Sequence, residues 1–161
     1  MSYIIRPATV ADESIAWEML AHAAHESSVE SVIKQPLLAR YVSGWGRNGD
    51  YGCVAEIDTK AIGMAWLRLW RGEDKGFGYI SDCIPELAIA VLPEYRGRGI
   101  GSDLLKEILL VAKDRFPAVS LSVRSDNPVV KLYERSGFVR VPGSEVINRT
   151  GMVSFSMMLQ Q

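Results

Sequence analysis

Two arginines interleaved with three glycines, Arg96-Gly97-Arg98-Gly99-Ile100-Gly101, form the most chemically pointed stretch of this 161-residue chain. They stand between a short apolar run, Leu87 to Val91, and a segment in which Ile100, Leu104, Ile108 and Val111 recur at helical spacing with Leu105, Leu109 and Ala112 beside them. A strand feeding a helix through glycines leaves backbone N–H groups at the helix start without carbonyl partners, and the aligned peptide dipoles add partial positive charge there. Such an end holds an anion. Gly97, Gly99 and Gly101 let the backbone approach a ligand closely, while Arg96 and Arg98 add formal charge. The triphosphatase loop G-x-x-x-x-G-K-[ST] does not fit, because no Lys-Ser or Lys-Thr pair follows these glycines. The dinucleotide pattern G-x-G-x-x-G fails too, since counted from Gly97 its last position falls on Ser102. What fits is R-x-x-G-x-G, read at Arg96, Gly99 and Gly101 and preceded by Pro93-Glu94-Tyr95.

That turn resembles the one with which the GCN5-related N-acetyltransferases (GNAT family) wrap the pyrophosphate of acetyl-coenzyme A. A second pattern follows in the right order: Ser125-Asp126-Asn127-Pro128 through Leu132-Tyr133-Glu134-Arg135-Ser136-Gly137-Phe138 looks like the family's asparagine, helix tyrosine and closing Gly-Phe. The resemblance spans nearly the whole chain. It implies an N-acetyltransferase moving the acetyl group of acetyl-CoA to a primary amine by direct attack in a ternary complex. It assigns the diphosphate to Arg96, Gly97, Arg98, Gly99, Ile100, Gly101 and Ser102, and the pantetheine arm to backbone groups of Ile89, Ala90 and Val91, as though the coenzyme were an extra strand. A main-chain N–H near Val91 is the implied donor to the developing oxyanion.

The resemblance also makes Tyr133 the acid for the departing thiolate, a phenol with an ordinary pKa of about 10, although a helix aromatic serves equally well as core. Asn127 bonds the pantetheine arm, caps its helix, or does both. An alkylamine must lose a proton before attack, and Glu86, at the entrance of the cofactor strand, is the leading base, with Asp82 second; the competing readings are a solvated carboxylate at a strand end and ordered water. For the acceptor, the resemblance points to two walls, the segment from His25 to Trp45 and the connection from Pro142 to Gly151. Tyr41, Trp45, Trp66 and Trp70 either line a pocket there or belong to the core, and Glu26, Glu30, Asp50 and Glu73 either attract an amine or form a solvated rim. The acceptor's identity stays open, and so does a homodimer through the final strands. A non-catalytic acyl-CoA-binding sensor or regulatory module is the alternative.

The elements that must position these residues follow from periodicity. With 18 basic and 19 acidic side chains the net charge is −1, which offers no global field for nucleic acid or an anionic membrane. Cys53 and Cys83 make neither a C-x-x-C pair nor a metal cluster, and His22 with His25, three apart on a helix, are too few ligands, so no metal is expected. Without a signal-like apolar core near the N-terminus or a membrane-length apolar run, a cytoplasmic protein is expected. Strands are expected over Tyr3–Arg6, ended by Pro7, and over Gly52–Ile57 and Ala61–Trp70, joined as an antiparallel hairpin by Asp58-Thr59-Lys60. Further strands are expected over Leu87–Val91, Val119–Val123, Phe138–Val141 and Met152–Leu159. Thr9 or Asp12 caps a first helix, short helical turns follow near Val29–Ile33 and Leu37–Trp45, and Asn127-Pro128 opens a later helix that Gly137 closes. Residues 1–161 therefore read as one domain, an α+β fold with helices on both faces of a mixed, mostly antiparallel sheet, in agreement with the acyl-CoA N-acyltransferase-like fold that the resemblance implies.

Overall fold

The computed structural model describes residues 2–147 and 151–161. Eight strands run through them: β1 Ile4–Pro7, β2 Tyr51–Ile57, β3 Lys60–Arg68, β4 Glu86–Val91, β5 Ala118–Arg124, β6 Val139–Arg140, β7 Val146–Ile147 and β8 Val153–Gln160. The helices are α1 Glu13–Ala23, α2 Val29–Ile33, α3 Pro36–Ala39, α4 Ile100–Lys113 and α5 Val130–Arg135. The fold is α+β with mostly antiparallel pairing, as the periodicity predicts. The chain divides into two compact units, Met1–Arg68 with Leu87–Val111, and Leu69–Glu86 with Ala112–Gln161.

In the first unit the strand order is β1-β2-β3-β4. Pro7 does not end β1 but forms its last pair, with Cys53, a place where an outer strand tolerates a residue that cannot donate. The hairpin turn is tighter than expected: Ile57 pairs with Lys60, and Asp58 and Thr59 alone make the bend at φ 47° and 68°. Two left-handed residues match the right-handed twist of the flanking strands, here without the usual glycine.

Alternation along β3 sends its side chains to two faces. On one, a Cβ at Gly63 would stand 3.0 Å from Leu104 Cδ1 and 3.1 Å from the Ala90 carbonyl oxygen, so the missing side chain lets α4 settle onto β3 and β4. Ile100, Leu104, Leu105 and Ile108 are the buried stripe of that helix, while Leu110 is exposed. On the other face, Trp66 Nε1 donates to the Tyr41 carbonyl at 3.1 Å, and the Arg68 guanidinium donates to the carbonyls of Arg40, Ser43 and Val42 at 2.9, 2.7 and 3.5 Å. Arg68 is 1% exposed, and Asp50 meets its charge through two contacts of 3.0 and 2.8 Å.

Thr9 caps a 3₁₀ turn at Val10–Asp12 in a reciprocal box with Asp12, and Asp12 also takes both Nη groups of Arg6 at 2.9 Å. That pairing, hydrogen bonding first, holds the Asp12 carboxyl below its ordinary range. Helix α1 stops at Ala23, and His25 lies beyond its cap at φ 57°, so His22 and His25 do not share a helix face as the spacing predicts. The short helix expected from Leu37 to Trp45 is confined to Pro36–Ala39 and followed by turns.

In the second unit β5 and β8 pair antiparallel along their length, from Ala118 with Gln160 to Arg124 with Ser154. The other side of β8 takes β6 near Met157 and Met158, then β7 near Val153 and Ser154. Strand β7 corrects the expectation of a plain connection between Pro142 and Gly151; Asn148 to Thr150 of that stretch lie outside the described residues. Helix α5 also starts later than expected. Asn127 Oδ1 accepts from Val129 N at 3.0 Å in a local turn, and the helix begins at Val130 instead of Pro128. Its end is as the glycine predicts, with Phe138 N donating to the Tyr133 carbonyl and Gly137 N to that of Glu134.

Candidate active site

The turn from Arg96 to Ser102 belongs wholly to the first unit. Gly97 and Gly99 sit at φ 76° and 83°, which residues with a side chain rarely adopt, and a Cβ added at either would meet nothing within 4 Å. Backbone conformation, not crowding, therefore selects glycine at both, and the space above the turn is open to a ligand. Asp103 N donates to the Gly99 carbonyl at 3.1 Å, so the amides of Ile100, Gly101 and Ser102 come before that first closing bond of α4. Together with the dipole of a 14-residue helix, these amides form an electropositive end suited to a diphosphate. Arg96 is exposed and gives its Nε–H to the Val91 carbonyl at 2.9 Å, only one of the five donors of a guanidinium. Arg98 lies over the Tyr95 ring, 5.4 Å from its centroid.

Strand β4 is the outermost strand of the first unit's sheet. Leu92 N donates to the Ile62 carbonyl at 2.8 Å, so Ala90, two residues earlier, turns its main-chain groups toward β3, and Ile89 and Val91 turn theirs away. Of that outward set the Val91 carbonyl is taken by Arg96. The N–H groups of Ile89 and Val91 and the carbonyl of Ile89 remain as the edge along which an extended ligand could pair. Ala90 itself is buried, and Ile89 and Val91 are half-buried.

Glu86, Asp82 and Tyr133 lie in the second unit. Glu86 is not the solvated carboxylate that one reading of a strand end allows, being 3% exposed. Its Oε1 accepts from Trp70 Nε1 and from Gly78 N, both at 3.0 Å. Ser120, paired with Glu86 across β4 and β5, donates its hydroxyl to the Gly78 carbonyl at 2.7 Å. Sequence reasoning misses this network because its members, Trp70, Gly78 and Ser120, are far from Glu86 along the chain. Its trace in the sequence is two glycines flanking Phe77: a Cβ at Gly76 would stand 2.4 Å from Glu86 Oε1, and one at Gly78 would stand 2.9 Å from Glu86 Cδ. Asp82 is exposed and accepts from the Tyr79 hydroxyl at 2.7 Å.

Tyr133 is buried against Phe138, ring centroids 5.7 Å apart. Burial alone raises its pKa far above the ordinary phenol value, with no hydrogen-bond partner contributing, so the hydroxyl keeps its proton throughout the neutral range. Asn127 uses its Oδ1 on Val129 N in a turn that precedes α5, so it does not cap the helix, whose N-cap is Val129, and its amide donors are not part of that bond. Cys53 offers no covalent route, because burial, aided by the charge of Glu107, pushes its thiol up to about 11.

The aromatic residues expected either to line an acceptor pocket or to build the core do the latter. Tyr41, Trp45, Trp66 and Trp70 are all buried, and the three indoles donate to the Thr9 carbonyl, the Tyr41 carbonyl and Glu86. Asp50 is occupied by Arg68 instead of attracting an amine, Glu26 accepts from Ser31 and Gln35, and Glu30 and Glu73 are exposed. Among the described residues no group of three or more metal-ligating side chains converges, and no helix is long and apolar enough to cross a membrane.

Residues 15–138 match the model of the acetyltransferase (GNAT) family. An N-alpha-acetyltransferase of Sulfurisphaera tokodaii is 35% identical over 98 residues, 55% of this chain and 56% of that protein. A mycothiol acetyltransferase of Streptomyces griseus is 30% identical over 130 residues, 78% of this chain and 39% of that protein. The chain thus spans about half, or less, of the length of these curated relatives. In fold it is similar to a Salmonella typhimurium protein whose structure was solved with its cofactor acetyl-CoA, at a TM-score of 0.72 and 21% identity, covering 99% of this chain and 94% of the other.

Proposed function

This chain belongs to the GNAT acetyltransferase family, and on that premise we propose that it moves the acetyl group of acetyl-coenzyme A to a primary amine by direct attack in a ternary complex. The observation that carries the reading is the open turn at the head of α4, in which two left-handed glycines, where an added Cβ would meet nothing within 4 Å, lead into the helix-start amides. Acetyl-CoA supplies a thioester carbonyl that an amine nitrogen can attack. The chain's own residues hold and steer it. Backbone groups from Arg96 to Ser102 bind the diphosphate, and the Ile89 groups with the Val91 N–H bind the pantetheine arm; Ala90, expected to share that role, has its main-chain groups turned toward β3, and the Val91 carbonyl is already fixed by Arg96. The Val91 N–H points to the developing oxyanion; losing one such donor typically costs ~10²-fold in rate or more. Asn127, its oxygen engaged in the turn, offers its amide hydrogens to the arm.

Tyr133 retains its proton and gives it to the departing thiolate. Glu86 is the proposed base that strips the amine, directly or through a water, and Asp82 is second to it. Its burial and its two donors also make Glu86 an anchor of the loop from Leu69 to Pro85, and the two roles are separable by substitution. Residues 1–161 act as one N-acetyltransferase domain, in the cytoplasm, on a soluble amine and not on nucleic acid or a membrane. The N-alpha-acetyltransferase relative makes a peptide α-amine the first acceptor to try.

A panel of peptide N-termini, amino acids, polyamines and aminoglycosides, assayed for release of free coenzyme A thiol, tests the reading. We expect release well above spontaneous hydrolysis with at least one class. Tyr133→Phe should then lower turnover by about 10²-fold while leaving coenzyme affinity within about twofold. Tight coenzyme binding with no transfer to any amine would replace the enzyme with a sensor, and unchanged turnover in Tyr133→Phe would return that residue to the core.

A further inference from the structure

Two cations from different elements converge on one ring beside the glycine turn. Lys60 Nζ lies 5.5 Å from the centroid of Tyr95, and Arg98 Cζ lies 5.4 Å from it. Tyr95 closes the 3₁₀ turn Pro93–Tyr95 that leads into Arg96, so the three side chains border the anion-binding end of α4 within the first unit. Lys60 is exposed and, among the described residues, forms no ion pair, although Asp58 and Glu94 are its acidic neighbours in the two turns. Its place is tightly set. The hairpin turn before it has only two residues, and Thr59, β-branched, stands at φ 68°, a conformation that costs about 1–2 kcal/mol for a residue with a side chain. Lys60, without an ion pair of its own among the described residues, is thus held beside the same aromatic ring as Arg98.

We propose that Lys60, with Arg98 and Tyr95, forms a phosphomonoester subsite next to the diphosphate turn and reads the 3′-phosphate of coenzyme A. This rests on the acetyl-CoA reading above and goes beyond it, since the turn alone accounts only for the diphosphate. A ribose 3′-phosphate branches from the sugar next to the diphosphate and carries close to two negative charges at neutral pH. A lysine ammonium is a compact, rotatable donor to such a group, and the Arg98 guanidinium beside the same ring adds a second positive charge. The subsite would make the protein prefer coenzyme A over its dephospho form, a distinction that neither glycines nor helix dipole can draw.

Isothermal titration of the full chain with coenzyme A and with 3′-dephospho-coenzyme A, in wild type, Lys60→Gln and Lys60→Arg, tests this without any turnover. We expect the wild type to bind coenzyme A about tenfold more tightly than the dephospho form, Lys60→Gln to reduce that ratio to about twofold, and Lys60→Arg to restore most of it. The wild-type ratio should also shrink with added salt, as for a solvent-exposed charge pair. A ratio that persists in Lys60→Gln, or a wild type that binds both forms equally, overturns the subsite while the acetyltransferase reading stands. No binding of either form by the wild type removes that reading and the subsite together.

Discussion

At Gly97 and Gly99 an added methyl group would meet nothing within 4 Å, whereas at Gly76 it would press to 2.4 Å from both Glu86 Oε1 and Trp70 Cζ2. At Gly78 the obstacle is the Leu121 carbonyl carbon at 2.7 Å. Along the chain the two stretches look alike, as polar loops punctuated by glycine. Physically they are opposites. The first pair is required by a left-handed backbone and leaves volume for something else to fill; the second is required by what already fills the volume. An open glycine turn is where a ligand is expected, and a closed one is where a buried network is being sealed.

Breaking the closed pair should have the largest effect. Gly76→Ala drives a methyl into Glu86 and the Trp70 ring, both held by the same hydrogen bond, and is expected to destabilise the fold by about 3 kcal/mol in urea unfolding. A loss below about 1 kcal/mol would mean that the loop relaxes and that the seal is not tight. Next comes Glu86 itself. Glu86→Ala removes the acceptor for Trp70 Nε1–H and Gly78 N–H and should cost about 2 kcal/mol, while Glu86→Gln keeps an oxygen for both and should cost less than about 1. Glu86→Gln then isolates the chemistry: turnover should fall about tenfold at neutral pH and recover as the medium, instead of the carboxylate, deprotonates the amine. A pH profile identical to wild type would leave Glu86 with its anchoring role alone. The smallest effect on the fold belongs to the open pair. Gly99→Ala should cost about 1 kcal/mol of stability from its φ of 83° and weaken coenzyme A binding about tenfold by tilting the amides, read by calorimetry. Equal affinity would show that the turn's geometry is not what holds the diphosphate.

What the sequence reveals is what is local. The hairpin of β2 and β3, the arginine-glycine turn and the amphipathic stripe of α4 all declare themselves through residues a few positions apart, and each appears close to the expected bounds. Glu86 does not, because a carboxylate at the start of an apolar run is normally wet, and the residues that bury it come from positions 70, 78 and 120. Arg68 reads as one polar residue inside the expected strand Ala61–Trp70, and nothing next to it announces Asp50 or the carbonyls it reaches. Strand β7 escapes notice because two residues carry no periodicity, and its pairing partner, β8, follows only after the turn. The indoles mislead for a related reason: aromatic side chains suit both a cation pocket and a core, and only the destination of each N–H decides between them.

The four carbonyls from Arg40 to Ser43 are each gripped by Trp66 or Arg68. That stretch has the look of a connector, with turns and a glycine at Gly44, yet it is riveted. It cannot fray residue by residue, since releasing one oxygen strands a guanidinium whose other contacts are already in place. Segments of this kind tolerate neither insertions nor lengthening, and evolution of a new acceptor there must work by exchanging side chains on a fixed rail, not by reshaping the rail.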